Sequence, residues 1–161
     1  MNFPAAMENK DPFLQAVVHF DDGTLAKGFL DDAEGLVRQA LASGKGSLPE
    51  LPVELQLVAG GRAPIDLSTA KAVFFVKTFE GSKEYKEVKF FQSHPEIAGL
   101  WVRVRFFDDE VSEGIVHNSL TFLEEPGFFM KPPDPQSNNR MVYVLKKSLV
   151  DFQVLGIQLE F

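Results

Sequence analysis

The chain has 161 residues, a formal net charge of −7 and no cysteine. Acidity is spread evenly, with 7 basic and 11 acidic residues in 1–80 and 9 and 12 in 81–161. An acidic surface repels a polyphosphate backbone, so nucleic-acid binding is disfavoured, and the lack of thiols excludes disulfides and thiolate metal sites.

A hydrophobic fraction of 45 %, with 16 phenylalanines, supplies core for one ordinary domain or two small ones folded together. Residues 1–12 have neither a basic n-region nor an apolar h-region and read as a flexible leader, not a secretion signal. No apolar run approaches the roughly 20 residues of a membrane helix, so a soluble, cytoplasmic protein is expected.

Strands dominate the pattern. Ala16 to Phe20 is short, apolar and β-branched, and Asp21-Asp22-Gly23-Thr24 supplies a turn. Leu25 to Leu30 returns, and Gly28 inside it predicts a bulge or sharp bend. Ala33, Leu36, Val37, Ala40 and Leu41 then share one stripe at helical spacing, which predicts a helix over about 32–43. Asp31 with Glu34 reads as its acidic cap and Gly44 as its stop.

Val53 to Val58 alternates as a strand, Gly60-Gly61 turns, and Ile65 to Leu67 leads into the apolar run Ala72 to Val76. Residues 80–99 read as a linker. Beyond it, strands are predicted over Trp101–Phe107, Val111–Val116, Leu120–Leu123, Gly127–Lys131, Met141–Leu145 and Leu149–Leu155. The apolar phase flips near Leu155-Gly156, which predicts a bulge and then an extra C-terminal strand.

The chain echoes itself. Phe20, Leu25, Gly28 and Leu30 recur 86 residues later as Phe106, Val111, Gly114 and Val116. Ile65, Val73, Phe75 and Val76 recur 79 later as Val144, Phe152, Val154 and Leu155. Such self-similarity implies duplication. Five short strands with a bend in each copy fit a small barrel. The predicted architecture is all-β with one inserted helix: two tandem small SH3-like/Sm-like barrels packed together, over residues 13–79 and 100–161.

The pattern of Val18, Phe20, Asp22, Gly23 and Gly28, followed by Ile65 and Leu67, resembles the Sm-like family. The second copy departs from it, since Asp109-Glu110 replaces Asp-Gly. More of the chain is involved in a second resemblance, carried by VHFDDGTLAKGF, LSTAKAVFFVKTFEGSKEYKE, GFFMKPPDPQSNNRMVYV and FQVLG. Those segments resemble an uncharacterised bacterial domain family of duplicated barrels, found alone or beside PilZ and response-regulator domains. The resemblance implies a place in signalling and no settled activity.

Residues that could do chemistry are sparse. His19, His94 and His117 have no metal-motif spacing, and His19 reads as an exposed strand position. Asp21-Asp22 and Asp108-Asp109-Glu110 read as solvated turn residues in preference to an acid–base pair. Gly44-Lys45-Gly46-Ser47 lacks phosphate-loop spacing. The locally basic stretch after Lys131 is the strongest ligand candidate, with Lys131 and Arg140 as cations and Ser137, Asn138 and Asn139 as donors. A rigid Pro- and Asn-rich turn is the simpler reading of the same residues.

Adjacent phenylalanine pairs at 74–75, 90–91, 106–107 and 128–129 should each set one ring inside a barrel and one outside. The outward rings call for cover from the sister copy, from the linker or from a partner. The function expected from the sequence is a non-enzymatic adaptor in bacterial signalling, without a cofactor, engaging another protein. A small-anion or cyclic-nucleotide receptor using Lys131 and Arg140 is the alternative. Sm-like RNA binding is a further alternative that the net charge disfavours, and no membrane partner is expected.

Overall fold

The structure, a computed structural model, describes residues 13–32, 35–43, 53–80, 90–91 and 99–158. The leader, most of the 80–99 linker, His94 and the Gly44 to Ser47 stretch lie outside the described residues. In chain order the elements are β1 (Phe13–Phe20), β2 (Leu25–Asp31), α1 (Leu36–Ser43), β3 (Val53–Leu57), β4 (Arg62–Ile65) and β5 (Ala70–Val76). There follow β6 (Gly99–Phe106), β7 (Val111–Val116), α2 (Leu120–Glu124), β8 (Gly127–Lys131), β9 (Asn139–Leu145) and β10 (Leu149–Gln158).

The first turn forms for the reason its residues suggest. Gly23 takes a φ of 87°, Phe20 N–H donates to Thr24 O at 2.9 Å, and the Asp22 carboxylate accepts Thr24 N–H at 2.9 Å. At the equivalent place in the second copy, Asp109 takes a φ of 70° and Phe106 N–H donates to Glu110 O at 2.9 Å. Loss of the Asp-Gly pair therefore leaves the turn intact, because aspartate tolerates the left-handed region better than most residues. The strand ends match too. A 3₁₀ turn precedes β5 at Leu67–Thr69, and another precedes β10 at Lys146–Ser148.

All ten strands join one antiparallel sheet in the order β10-β6-β7-β8-β9-β5-β1-β2-β3-β4. Each half places its fifth strand beside its first, then runs second, third, fourth, so the two halves share one topology. The all-β expectation holds. The two separate barrels do not appear as such, since no pairing among the described strands closes either half on itself. The reason lies in β5. One of its edges pairs with β1 and the other with β9, with Ala72, Val73, Phe74 and Phe75 opposite Val144, Tyr143, Val142 and Met141. An edge can serve one neighbour, so β4 is left without it.

Two cores lie on opposite faces of this sheet. Val73, Phe75, Met141, Tyr143 and Phe129 face the first core with Leu14, Ala16, Val18, Leu30 and Leu55. Ala72, Val142, Val144, Phe128 and Met130 face the second with Val102, Val104, Phe106 and Val116. Alternation along β5, β8 and β9 thus feeds both cores, and these strands read as unbroken apolar runs. It also revises the reading of the paired phenylalanines. Phe128 and Phe129 are both buried because β8 lies between the cores, whereas Phe107 remains exposed beside buried Phe106.

The single inserted helix is corrected as well. Leu120 to Leu123, predicted as a strand, belongs to α2, which joins β7 to β8 as α1 joins β2 to β3. The helix is therefore part of the repeated unit. Leu120 and Leu123 lie three apart on one side, and Pro126-Gly127 stops the turn before β8. α1 itself starts at Leu36. Its cap is Asp32, whose carboxylate accepts Val37 N–H at 3.0 Å and Arg38 N–H at 2.8 Å. Near the C-terminus the predicted bulge appears as a register shift between Val154 and Gly156. Past it the chain stays in β10 and keeps pairing with β6, so through Gln158 it prolongs that strand.

The repeated glycine has a packing cause. A Cβ on Gly28 would sit 2.5 Å from Gln56 O, and one on Gly114 would sit 2.8 Å from Lys131 O. In each half the second strand passes too close to the third for any side chain. Gly28→Ala and Gly114→Ala should each destabilise by about 1–3 kcal/mol in urea unfolding. Asp109→Gly should instead stabilise by roughly 0.5–1 kcal/mol, by relieving the positive φ.

Candidate functional site

The halves meet along more than β5 and β9. On the face that carries the second core, a cleft of about 270 Å³ opens between the outer face of β1–β2 and the β7, β8–β9 side of the second half. β1 sets Val17 and His19 in it two residues apart, hence on one face. Val17 lies opposite Lys27 of β2 and Phe74 of β5, so a row of three strands forms one wall. Val76, Phe79 and Glu80 continue that wall. Val111, Ser112, Pro132, Pro133 and Asn139 line the other side.

His19 is not the exposed strand residue that the sequence suggested. Its ring lies 4.4 Å from the Phe74 ring. Burial lowers its pKa, and the nearby Lys71 charge lowers it further, so the imidazole is held neutral near pH 7. The acids of the lining are Glu80, Glu110 and Glu113. Glu113 is spent internally: its side chain is 2 % exposed and accepts Arg103 Nη2 at 2.7 Å, Arg103 Nε at 3.0 Å, Trp101 Nε1 at 3.0 Å and Phe91 N–H at 3.2 Å. Burial alone would raise its carboxyl, and these donors outweigh burial and hold it below its ordinary range. The remaining lining is apolar, proline or amide, apart from Lys27 and Ser112.

The loop singled out in the sequence is divided by the structure. Asn138 and Asn139 line the cleft, while Lys131, Ser137 and Arg140 are not part of the lining. Lys131 follows Met130 on β8. Met130 lines the cleft, so alternation points Lys131 to the other face of the sheet, where it pairs opposite Ile115. Ser137 is buried, and its Oγ accepts Asn139 N–H at 3.0 Å while its N–H donates to Asp134 O at 3.0 Å. Burial lowers the Arg140 pKa. Asn138 clips the loop to the end of β5, taking Thr78 N–H at 3.1 Å and giving Nδ2–H to Thr78 O at 2.8 Å.

Sequence reasoning missed Lys71, which ties the two halves together beside the cleft through Asp108 and the lining residue Glu110. Lys71 sits where the β1–β5 register shifts, and its side chain is only 6 % exposed. It donates to Asp108 Oδ2 at 2.8 Å and lies 3.3 Å from Glu110 Oε1, with Nζ 4.5 Å from the Phe106 ring centre. That bond to Lys71 pulls the Asp108 carboxyl below its usual range. The arrangement is reciprocal, since Lys147 of the second half donates to Asp21 at 2.6 Å in the first. The acidic turns, read as solvated, are thus each gripped by a lysine of the other half. The available signal was one lysine inside the apolar run AKAVFFV, where a buried cation needs a partner.

Among the described residues no group of three or more His, Asp or Glu is placed to hold a metal, and no helix is long and apolar enough to cross a membrane. Residues 14–156 match the model of the Family of unknown function (DUF6982). No curated protein and no solved structure matches the chain.

The Lys71 contact predicts an asymmetry. Lys71→Met frees two half-exposed carboxylates that water can rehydrate, and should cost about 1 kcal/mol or less. Removing both acids as Asp108→Ala with Glu110→Ala strands a buried ammonium and should cost about 2–3 kcal/mol in chemical denaturation. Adding Lys71→Met to that double variant should recover most of the loss.

Proposed function

The chain belongs to this family of unknown function, and on that premise we propose that it is a non-enzymatic adaptor module of bacterial signalling that engages another protein through the cleft between its halves. One observation carries the reading. One stretch of the cleft is built from apolar, aromatic and proline side chains, Val17, Phe74, Val76, Phe79, Val111 and Pro132-Pro133, beside neutral His19, and it is bordered by polar and charged groups, Ser112, Asn138, Asn139, Lys27 and three glutamates. Such walls suit an extended protein segment that lays apolar side chains between Phe74, Phe79 and the Pro132-Pro133 step. The resemblance to domains found beside PilZ and response-regulator modules supports a signalling setting and a cytoplasmic place. The strand order shared by the two halves, fifth, first, second, third, fourth, supports taking the pair to derive from two small SH3-like or Sm-like barrels opened into one sheet.

The anion-receptor alternative draws less support. Lys131 and Arg140 do not line the cleft, and among the described residues Lys27 is its one lysine while three glutamates border it. An anion there would meet like charge. RNA binding meets the same objection on the scale of the whole chain.

Selection from a random-peptide display library tests the reading. Enriched peptides should shift the amide resonances of Val17, Lys27, Ser112 and Asn139, and Val111→Arg should weaken them at least about tenfold by filling the cleft. Binding that survives Val111→Arg, or shifts confined to other surfaces, would contradict it. A thermal shift with cyclic nucleotides that disappears in Arg140→Ala would favour the receptor instead.

A further inference from the structure

His19 is the one histidine of the described cleft lining, and it stands where the two halves meet. It pairs opposite Ala72 on β5, and the register shifts at the next step, beside Lys71. Its ring leans on Phe74, with ring centres 4.4 Å apart and planes inclined at 51°. Val17, on the same face of β1, pairs opposite Phe74. The imidazole is therefore part of the apolar wall that a bound segment would cover.

The charges around the ring disfavour a second cation. Lys71 approaches from β5 with a side chain that is 6 % exposed, and Asp108 and Glu110 approach from the β6–β7 turn. Both acids are already engaged by the Lys71 ammonium, at 2.8 and 3.3 Å. The other charged groups of the described lining are Lys27, Glu80 and Glu113, and Glu113 is held by Arg103. Burial opposes an imidazolium most, Lys71 opposes it next, and Glu110 and Asp108 offset these only in part. The second half treats the equivalent position differently. Arg105, 86 residues on from His19, has a side chain 48 % exposed and lies 3.7 Å from Asp109. A permanent cation thus stands where water reaches it, and a titratable ring stands in the cleft wall.

We propose that His19 is an acid-release switch for the cleft: protonation of its imidazole sets a cation in the apolar wall beside Lys71 and expels the bound segment. This rests on the cleft being a peptide site and adds what regulates it. Apolar side chains can cover a neutral imidazole at little cost. Covering an imidazolium strips its water and leaves it facing an ammonium. Segment and proton therefore compete for the same ring. The coupling is reciprocal, so the segment lowers the affinity of the ring for a proton by the factor by which the proton weakens the segment. Of the groups in the described lining, only the imidazole has an ordinary pKa between about pH 5 and pH 8. Affinity is thus full above the His19 pKa of the free chain and is lost as pH falls through it.

The probe is a peptide enriched by display on the full chain at about pH 7.5, with resonance shifts that place it in the cleft. Its dissociation constant, read by fluorescence anisotropy, should begin to rise at the His19 pKa that NMR reports for the free chain, and approach about tenfold per pH unit below it. His19→Gln should hold its affinity over the same range. A cleft-bound peptide whose affinity for wild type stays flat through the His19 pKa, or a His19→Gln variant that loses affinity as wild type does, would overturn the switch and leave the peptide site standing. Enrichment of no cleft-binding peptide would overturn both. Should His19→Gln fail to fold, wild type supplies a second measurement. The His19 imidazole should titrate at lower pH in the saturated complex than in the free chain, and an unchanged titration would also overturn the switch.

Discussion

Everything else in the molecule depends on the pairing of β5 with β9. Those two strands come from different halves, and each carries apolar side chains on both faces. A strand of that kind is stable only with cover above and below and a neighbour on each edge. The pairing supplies all of this at once. Val73 and Phe75 with Tyr143 and Met141 close the first core, and Ala72 with Val144 and Val142 closes the second. Each fully buried side chain of this size is worth about 1.5–3 kcal/mol relative to exposure, so the central strands hold a large part of the stability. The cores sit on opposite faces, so neither half can be lifted away without exposing both.

The charged contacts follow from that geometry. Joining β9 to β5 swings the β6–β7 turn over the start of β5, where Lys71 reaches Asp108 and Glu110. It also brings the Lys147 turn to Asp21. These ion pairs add modest energy at half-exposed acids and more by fixing how the halves are set, which shapes the cleft beside His19 and Phe74. The cleft is thus a product of the junction and lies in neither repeat alone.

Much of the fold was legible in the sequence. Gly28 and Gly114 mark the close approach of second and third strands, the 86- and 79-residue echoes mark the duplication, and the register shift after Val154 follows the flip in apolar phase. Two things were not legible. The helical nature of Leu120 to Leu123 was hidden because four apolar-rich residues fit a short strand as well as one helical turn. The opening of the halves into one sheet was hidden because a strand with two apolar faces reads the same whether its second edge meets its own repeat or the other. The site was less legible still. Lys131 and Arg140 stood out as a linear cluster, but alternation on β8 turns Lys131 away from the cleft. His19 and Lys71 matter through contacts across distant segments, which spacing in one chain does not encode.

A junction that serves both cores implies that the halves unfold together. Native-state hydrogen exchange tests this most directly. The account predicts that amides of β5 and β9 are the slowest in the protein, and that the slowest amides of β1, β2, β6 and β7 exchange at the same global free energy. If one half exchanged by its own sub-global opening while the other kept its protection, the junction would not be the element on which both cores depend.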